Sequence, residues 1–326
     1  MPPARPTPPQ PDGGPAGPQG AAGPQGSTPA PDGPHVCVVE LNRHAPRPFV
    51  FTEIALSLRD MLRAAGHHAE HLVNEIDPDA INILFVPTDG WEQALARLDP
   101  ARTVLFNMEQ LGSDSPWARA GYIGMLARWT VADYSSANVA FLRTANGPAQ
   151  RVHEIPVVPG GSVGFAGEAG ITPCVDVLFY GTTNARRERV FKALRAAGLT
   201  LEVVSGAYGS ELTPALQRAR LVLHVHYYDT RLFPVARMLQ PLASAVPIVC
   251  ETSVCPALSD WGRSGIVFAD YERLADACAS LLHDPARQLE GVRRSLVHLR
   301  RVDTASPLNV LLANFAQAGG TGAATR

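Results

Sequence analysis

Lysine is nearly missing from this chain: Lys192 stands alone among 28 basic residues, and the rest are arginine. The bias fits genomic base composition, and it supplies the side chain that grips phosphate in a bidentate fork. Charge of either sign is sparse. Charged residues make up 18% of the chain and the formal net charge is -2, so there is no broad basic field for nucleic acid. Cysteine is scarce too. Cys37, Cys174, Cys250, Cys255 and Cys278 form an odd, irregularly spaced set, which excludes a disulfide framework. Cys37 and Cys250 sit inside apolar runs and read as buried thiols of a reducing compartment. No stretch approaches the roughly 20 apolar residues of a membrane-spanning helix. The amino terminus also lacks the apolar core of a signal peptide. The expectation is a soluble, cytoplasmic protein.

What is present divides into a tail and two similar halves. Residues 1–34 hold 12 prolines and 7 glycines and little that is apolar beyond alanine. Such a segment cannot offset its ordering entropy, so a disordered tail is expected. Gly14, Gly17, Gly20, Gly23 and Gly26 keep a collagen-like period of three over too few triplets for a triple helix.

From His35 onward strands alternate with helices. The apolar runs predict strands at 36–41, 69–73, 81–86, 103–107, 129–133 and 152–157. Helical spacing predicts helices at 52–65, 91–98, 116–129 (opened by Ser115 and Pro116) and 136–144. The Gly/Pro-rich segment Pro156–Pro173 reads as a linker. Beyond it the alternation restarts, with strands at 175–180, 201–204, 221–226, 247–250 and 265–268. Helices are expected at 185–197, 212–219, 233–244, 271–283 and 285–301. Alternation of this kind builds parallel βαβ units, two of normal domain size. The expected organisation is a tail (1–34), an N-terminal Rossmann-like domain (35–158), a linker (159–173), a C-terminal Rossmann-like domain (174–302) and a terminal segment (303–326) able to pack back on the first domain.

In open parallel sheets, ligands bind beyond the carboxyl ends of the strands. Three segments at such ends carry useful groups. Gly181-Thr182-Thr183-Asn184-Ala185-Arg186-Arg187 follows a buried strand and opens a helix, whose free N–H groups and dipole suit a phosphate. An arginine there adds a charge-assisted fork; the bland reading is a capped βα loop. His224-Val225-His226-Tyr227-Tyr228-Asp229 ends another strand with both histidines on one face. No carboxylate or cysteine is spaced to complete a metal set with them, so they read as ligand contacts or satisfied polar groups. Phe233–Glu251 runs from a helix into a buried strand. Arg237 and Gln240 share a face there, and Pro241 should kink or shorten the helix.

In order and context these segments resemble the donor domain of a bacterial GT-B glycosyltransferase-like family (glycosyltransferase family 1/4-like, CgeB-like). That family has a strand, a Tyr-Gly turn and an Arg-rich helix, then a His-Tyr-Tyr segment, then a Phe-x-x-x-Arg helix. The matching text is VLFYGTTNARRERVFKALRAAG and ARLVLHVHYYDTRLFPVARMLQPLASAVPIV, with LFNMEQL and VADYSSANVAFLR in the first half. The resemblance implies an α/β fold of two Rossmann-like domains facing across a cleft. It implies metal-independent transfer of a sugar from a nucleotide-sugar co-substrate, without a further cofactor, to an unknown glycan, protein or small-molecule acceptor. Carried over residue by residue, Gly181, Thr182, Asn184 and Arg186 face the donor diphosphate. His226, Tyr228 and Arg237 line the donor pocket, and Gln240 stands where many members place a ribose-binding glutamate. Pro234 replaces a residue that is often acidic. The acceptor base is expected from the first domain, with Glu109 preferred and His44 or Glu40 as alternatives.

Gln240 and Pro234 also suit a second class, a non-catalytic nucleotide- or sugar-binding module on the same fold. An NDP-sugar epimerase is a further alternative, and a two-lobed secreted binding protein would need a leader. Three motifs read as decoys. Asp77-Pro78-Asp79 is a proline-centred turn, and Gly160-Gly161-Ser162-Val163-Gly164 lies in the linker without the strand a nucleophile elbow needs. His67-His68-Ala69-Glu70-His71 reads as a solvated strand entrance, with no metal implied.

Overall fold

The computed structural model describes residues 34–319 except 43, 86–94, 113–114, 116–117, 165–171, 229–230 and 254–260. The expected tail and most of the helix expected at 91–98 therefore lie outside the described residues, as do Cys255 and Asp229.

The first half forms a six-stranded parallel sheet from β1 (Val36–Glu40), β2 (Ala69–Val73), β3 (Ile81–Phe85), β4 (Thr103–Asn107), β5 (Thr130–Asp133) and β6 (Val152–Glu154). Its order is β2-β1-β3-β4-β5-β6. Helices α1 (Thr52–Ala64), α2 (Ala120–Leu126) and α3 (Ser136–Asn146) cross over between strands. The second half forms a five-stranded parallel sheet from β7 (Val175–Tyr180), β8 (Leu201–Val204), β9 (Ala219–His224), β10 (Ile248–Glu251) and β11 (Val267–Ala269). Its order is β11-β10-β9-β7-β8. It is served by α4 (Ala185–Ala196), α5 (Thr213–Arg218), α6 (Val235–Ala243), α7 (Leu274–Leu282) and α8 (Pro285–Leu299). Helix α9 (Ala305–Gly319) ends the described chain.

The central strands are apolar nearly throughout because helices cover both faces of a parallel sheet. β1, β3 and β4 are buried at every position. In each sheet the strand order reverses next to the first strand, between β1 and β3 and between β7 and β9. Those crevices are where doubly wound sheets bind ligands.

One apolar core joins the two lobes. Ile54, Leu58 and Met61 of α1 meet Met238, Leu239 and Leu242 of α6 and Leu308, Leu311 and Leu312 of α9 in a single buried cluster. Each such side chain contributes about 1.5–3 kcal/mol on burial. The terminal helix thus lies on α1 and β6. The segment after β6 also packs down: Val157 and Val163 are buried, and the Ser162 N–H donates to Asp60 Oδ2 at 2.8 Å. Gly164, at φ +99°, presses on Ala243, where a Cβ would come within 2.6 Å. Ser162 also receives a bond from Arg59 at 2.5 Å, in a turn with no strand before it.

Some element ends differ from the sequence reading. The helix expected from Pro116 starts at Ala120, after an extended Arg119, and stops at Leu126. Gly121 and Gly124 weaken it, and a turn at Leu126 leads Trp129 into the core. β6 ends at Glu154 rather than at 157: Ile155 N–H still bonds to the Asp133 carbonyl, but Pro156 has no N–H to offer. β9 ends at His224 instead of 226, because the Val225 carbonyl accepts from Arg187 and the His226 N–H donates to Glu251. The helix expected from Phe233 begins after Pro234 and keeps Pro241 in its last turn. The helix expected at 271 opens with a tight 3-10 turn, Tyr271–Arg273.

Candidate functional site

The chain folds so that β7, β9 and β10 all end on one rim, and their carboxyl ends carry Tyr180-Gly181, His224-Val225-His226 and Glu251. Helix α6 lies across that rim. Arg237 on α6 donates from Nη1 to the Tyr180 carbonyl at 2.9 Å, and the Tyr180 hydroxyl donates back to the Arg237 carbonyl. Gly181 is required beneath the guanidinium. It holds φ +123°, and a Cβ there would stand 2.2 Å from Arg237 Nη1. Among the described residues Arg237 has no carboxylate partner.

Among the described residues two buried polar atoms of this rim have no hydrogen-bond partner: His224 Nε2, at the end of β9, and Gln240 Oε1, one turn along α6 from Arg237. Burial first, and then the charges of His226 and Arg237, hold His224 well below the usual imidazole range, so it is neutral. Gln240 spends its amide N–H on the Gly209 carbonyl at 2.6 Å, which fixes the side chain's orientation. Unsatisfied buried polar atoms are rare and costly, at roughly 1–3 kcal/mol each.

The arginines of α4 are engaged. Arg187 is fully buried and donates to the Val225 carbonyl from Nε and Nη2 (2.9 and 2.7 Å) and to the Thr182 carbonyl from Nη1. Burial lowers its pKa to about 10. Arg186 forks onto the buried Glu251 carboxylate, with Nη1 at 2.7 Å from Oε2, while its guanidinium lies 4.1 Å above the Tyr271 ring. Glu251 also accepts from the His226 N–H at 2.9 Å. His226 Nε2 stands 3.1 Å from Ser253 Oγ and 3.2 Å from the Glu251 carbonyl, and burial lowers its pKa to about 4. Asn184 caps α4 by accepting from the Arg187 N–H at 2.9 Å. Thr182 is exposed, and Tyr228 is half-buried with its ring 4.9 Å from Tyr227.

The structure therefore brings together Gly181, Arg237 and Gln240, with His224, and separately ties Arg186 to His226 through Glu251. Glu251 was missed as a site residue; an acid closing the apolar strand IVC was the available signal. Glu53 was missed as well. It sits in the first turn of α1 and accepts the Gly209 N–H at 2.5 Å across the lobes. Burial raises its pKa. No sequence signal links two residues so far apart in the chain.

The first lobe presents two loops. His44 is exposed after β1, 5.1 Å from the Phe49 ring, which in turn meets Tyr208 of the second lobe edge-on at 6.0 Å. Glu109 follows β4. Its carbonyl accepts from Asn107 (3.0 Å) and Asn138 (2.8 Å), which fixes the loop. Gln110, next in the chain, accepts from the Leu232 N–H of the other lobe at 3.3 Å. Burial raises the Glu109 carboxyl to about 7. Asp133, at the end of β5, is fully buried; burial raises it to about 8 against three donors, Asn107, Asn138 and the Ser135 N–H. β3 lies between the strands that carry His44 and Glu109, and no hydrogen bond or ion pair joins the two. Glu40, the remaining candidate, accepts from Thr52 at 2.8 Å and lies 3.2 Å from His71.

A cavity of about 820 Å³ opens between the lobes elsewhere, where the chain crosses from one to the other. Tyr134, Glu154 and Val157 line it from the first lobe, and Phe233, Trp261 and Arg294 from the second. None of the candidate donor residues lines it. That cavity joins arginines to one buried hydroxyl without a partner among the described residues, Ser135 Oγ, whereas the rim around Arg237 has two such atoms, His224 Nε2 and Gln240 Oε1, at the crevice where doubly wound sheets bind ligands.

No protein-family model matches the chain, and no curated protein matches its sequence. Its fold is shared with solved GT-B glycosyltransferases. Sucrose-phosphate synthase from Thermosynechococcus elongatus superposes with a TM-score of 0.53 at 13% identity, over 88% of this chain and 98% of that one. HepE of Anabaena, solved with UDP-glucose, gives 0.53 at 11% identity over 88% and 100%. TarM gives 0.52 at 12% identity over 73% of this chain, which spans only 55% of TarM. At these identities the likeness establishes the architecture: two Rossmann-like lobes of the GT-B type. Among the described residues no helix is long and apolar enough to cross a membrane.

Proposed function

We propose that the chain transfers a sugar from a nucleotide-sugar donor to an acceptor hydroxyl, in the cleft between its two lobes. The observation that carries this reading is the Arg237 guanidinium, seated on Gly181 at the β7–β9 crevice without a carboxylate partner among the described residues. The same rim carries two buried atoms that lack partners among the described residues, His224 Nε2 and Gln240 Oε1. A diphosphate meets the first group, and hydroxyl or phosphate groups of the same ligand meet the others. Gln240 Oε1 can accept from a ribose hydroxyl as a glutamate oxygen would.

In this scheme Arg237, with Gly181, Thr182 and Asn184 at the start of α4, holds the diphosphate and stabilises it as it leaves. The leaving charge is thus met by protein groups rather than by a metal. Arg186 is already neutralised by Glu251, so its part is to orient His226 and the rim, with Tyr228 beside them. The acceptor oxygen attacks the anomeric carbon as the bond to the diphosphate oxygen breaks. Glu109, at a pKa of about 7, takes the acceptor proton. His44 is the second candidate for that role. The nucleotide-bound form of HepE, a neighbour in fold, supports the choice of donor class.

A second reading, a binding module without turnover, is favoured by one observation: the Arg186–Glu251 pair occupies a cation that the donor would otherwise use. A thermal-shift screen with UDP-, GDP-, TDP-, ADP- and CMP-linked sugars tests binding. One of them at about 100 times its Kd should stabilise the fold by about 2.7 kcal/mol. Arg237→Ala should abolish the shift, and a variant that keeps the full shift would refute the assignment. Release of free nucleotide in the presence of acceptors separates the two readings.

A further inference from the structure

The opposite end of the six-stranded sheet, where its strands begin, carries a second cluster. β1 and β2 run in parallel with Cys37 paired to Glu70, and the Val36 N–H bonds to the His68 carbonyl at 2.8 Å. His35 and His68 each stand two residues before that pair. Side chains two apart share a face of a strand, so His-x-Cys and His-x-Glu lie side by side on one face. The residues that flank the second pair turn the other way: His67 bonds to Asn309 and His71 to Glu40.

His35 Nε2 lies 3.8 Å from both Cys37 Sγ and Glu70 Oε2. His68 Nε2 lies 3.6 Å from Glu70 Oε1, and the two imidazole rings stack at 4.4 Å. The nitrogen–oxygen separations are too long for hydrogen bonds. With metal–nitrogen and metal–oxygen bonds of about 2.0–2.2 Å and metal–sulfur of about 2.3 Å, the edges of a tetrahedron run to roughly 3.3–3.7 Å, so the observed 3.6 and 3.8 Å lie at or just above the spacing of ligands that share an ion. Asp77 Oδ2 lies 3.5 Å from the other ring nitrogen of His35. A carboxylate behind a ligating histidine commonly fixes its tautomer and its aim.

We propose that His35, Cys37, His68 and Glu70 form a zinc site that ties β1 to β2, with Asp77 orienting His35. His35 belongs to both groups of three whose ligand atoms lie within 4.8 Å of one another, one with His68 and Glu70 and one with Cys37 and Asp77. Because the two imidazole planes are within 17° of parallel, His68 must rotate out of the stack and Glu70 follow it to close the set around the buried sulfur; both side chains are about half exposed and free to do so. Binding releases the Cys37 proton, and the thiolate becomes the softest ligand. The site stands at the amino ends of the strands, away from the cleft at their carboxyl ends, so its role is structural.

Titration of the full chain with Co²⁺ and Zn²⁺ tests the proposal. It predicts one equivalent of cobalt bound, with tetrahedral visible bands and a thiolate-to-cobalt charge-transfer band, displaced by zinc. Cys37→Ser should lose the charge-transfer band. Glu70→Gln, a near-isosteric change at a half-exposed side chain, should weaken binding at least tenfold. Asp77→Asn should keep the spectrum and weaken affinity by about tenfold or more. Zinc should raise the melting temperature of the wild type more than that of Glu70→Gln. Failure to bind cobalt, a spectrum unchanged in Cys37→Ser, or unweakened binding in Glu70→Gln would overturn the site, and unaltered affinity in Asp77→Asn would remove Asp77 from it.

Discussion

Glu109 and His226 are displaced by burial in opposite senses along the charge scale, and each displacement can be measured. Glu109 titrates at about 7, against 4.5 for a free glutamate. If it takes the acceptor proton, turnover should rise as pH passes through about 7. Glu109→Gln should remove that limb and lower kcat by about 10²–10⁴-fold; an unchanged pH profile in the variant would exclude Glu109 as the base. His226 titrates at about 4, against 6.5. Between those values the unfolded chain binds a proton that the folded one refuses, so stability should rise with pH across that window and level off above it. The full effect is of the order of 3 kcal/mol. Raised carboxyls such as Glu109 act the other way, losing stability as pH climbs from 4.5 to about 7. The contribution of His226 is therefore isolated by difference: urea unfolding at pH 7 and pH 5 should show a smaller acid loss in His226→Gln than in the wild type.

At the scale of elements, the β7 turn and helix α6 form one device. Gly181 lets Arg237 lie on the backbone, and Tyr180 and Arg237 exchange hydrogen bonds through their backbone and side-chain groups. Gly181→Ala should be strained by its φ of +123° and should displace the guanidinium. The expected result is a loss of at least about 1 kcal/mol in stability together with a ligand shift as small as that of Arg237→Ala. Equilibrium unfolding and the thermal-shift screen measure the two effects. Much of this architecture was legible in sequence because buried parallel strands are written as short apolar runs. The strand spans 69–73, 103–107, 175–180 and 201–204 agree with the reading, and the Tyr-Gly turn announced itself by its glycine. The ends that moved did so where tertiary partners took over backbone groups, as Arg187 does at Val225 and Glu251 at His226. What sequence could not supply was pairing across distance. Glu53 meets Gly209 only because the lobes close. The His35–His68 ladder exists only because β1 and β2 adopt that register. Arg186 reads in sequence as a free phosphate ligand, whereas in the fold Glu251 faces it.

For the whole molecule, the relation between the lobes is set by the apolar core shared by α1, α6 and α9, with polar contacts on one side of the cleft. The bidentate pair of Arg47 and Glu211 (2.8 and 3.0 Å) is exposed, and such a pair contributes less than about 1 kcal/mol. The part-buried bond from the Gly209 N–H to Glu53 crosses the lobes, and Gln240 braces the Gly209 carbonyl from within the second lobe; both give direction rather than bulk stability. Two inter-lobe places could then receive an anion: the rim at Arg237, and the large cavity beside Arg294 at the chain crossings. The most direct discrimination is a crystal structure of the full chain soaked with the nucleoside diphosphate that scores in the thermal-shift screen. The account predicts diphosphate density against Gly181 and Arg237, with the ribose reaching Gln240. Density confined to the Arg294 cavity, with the Arg237 rim unchanged, would contradict it.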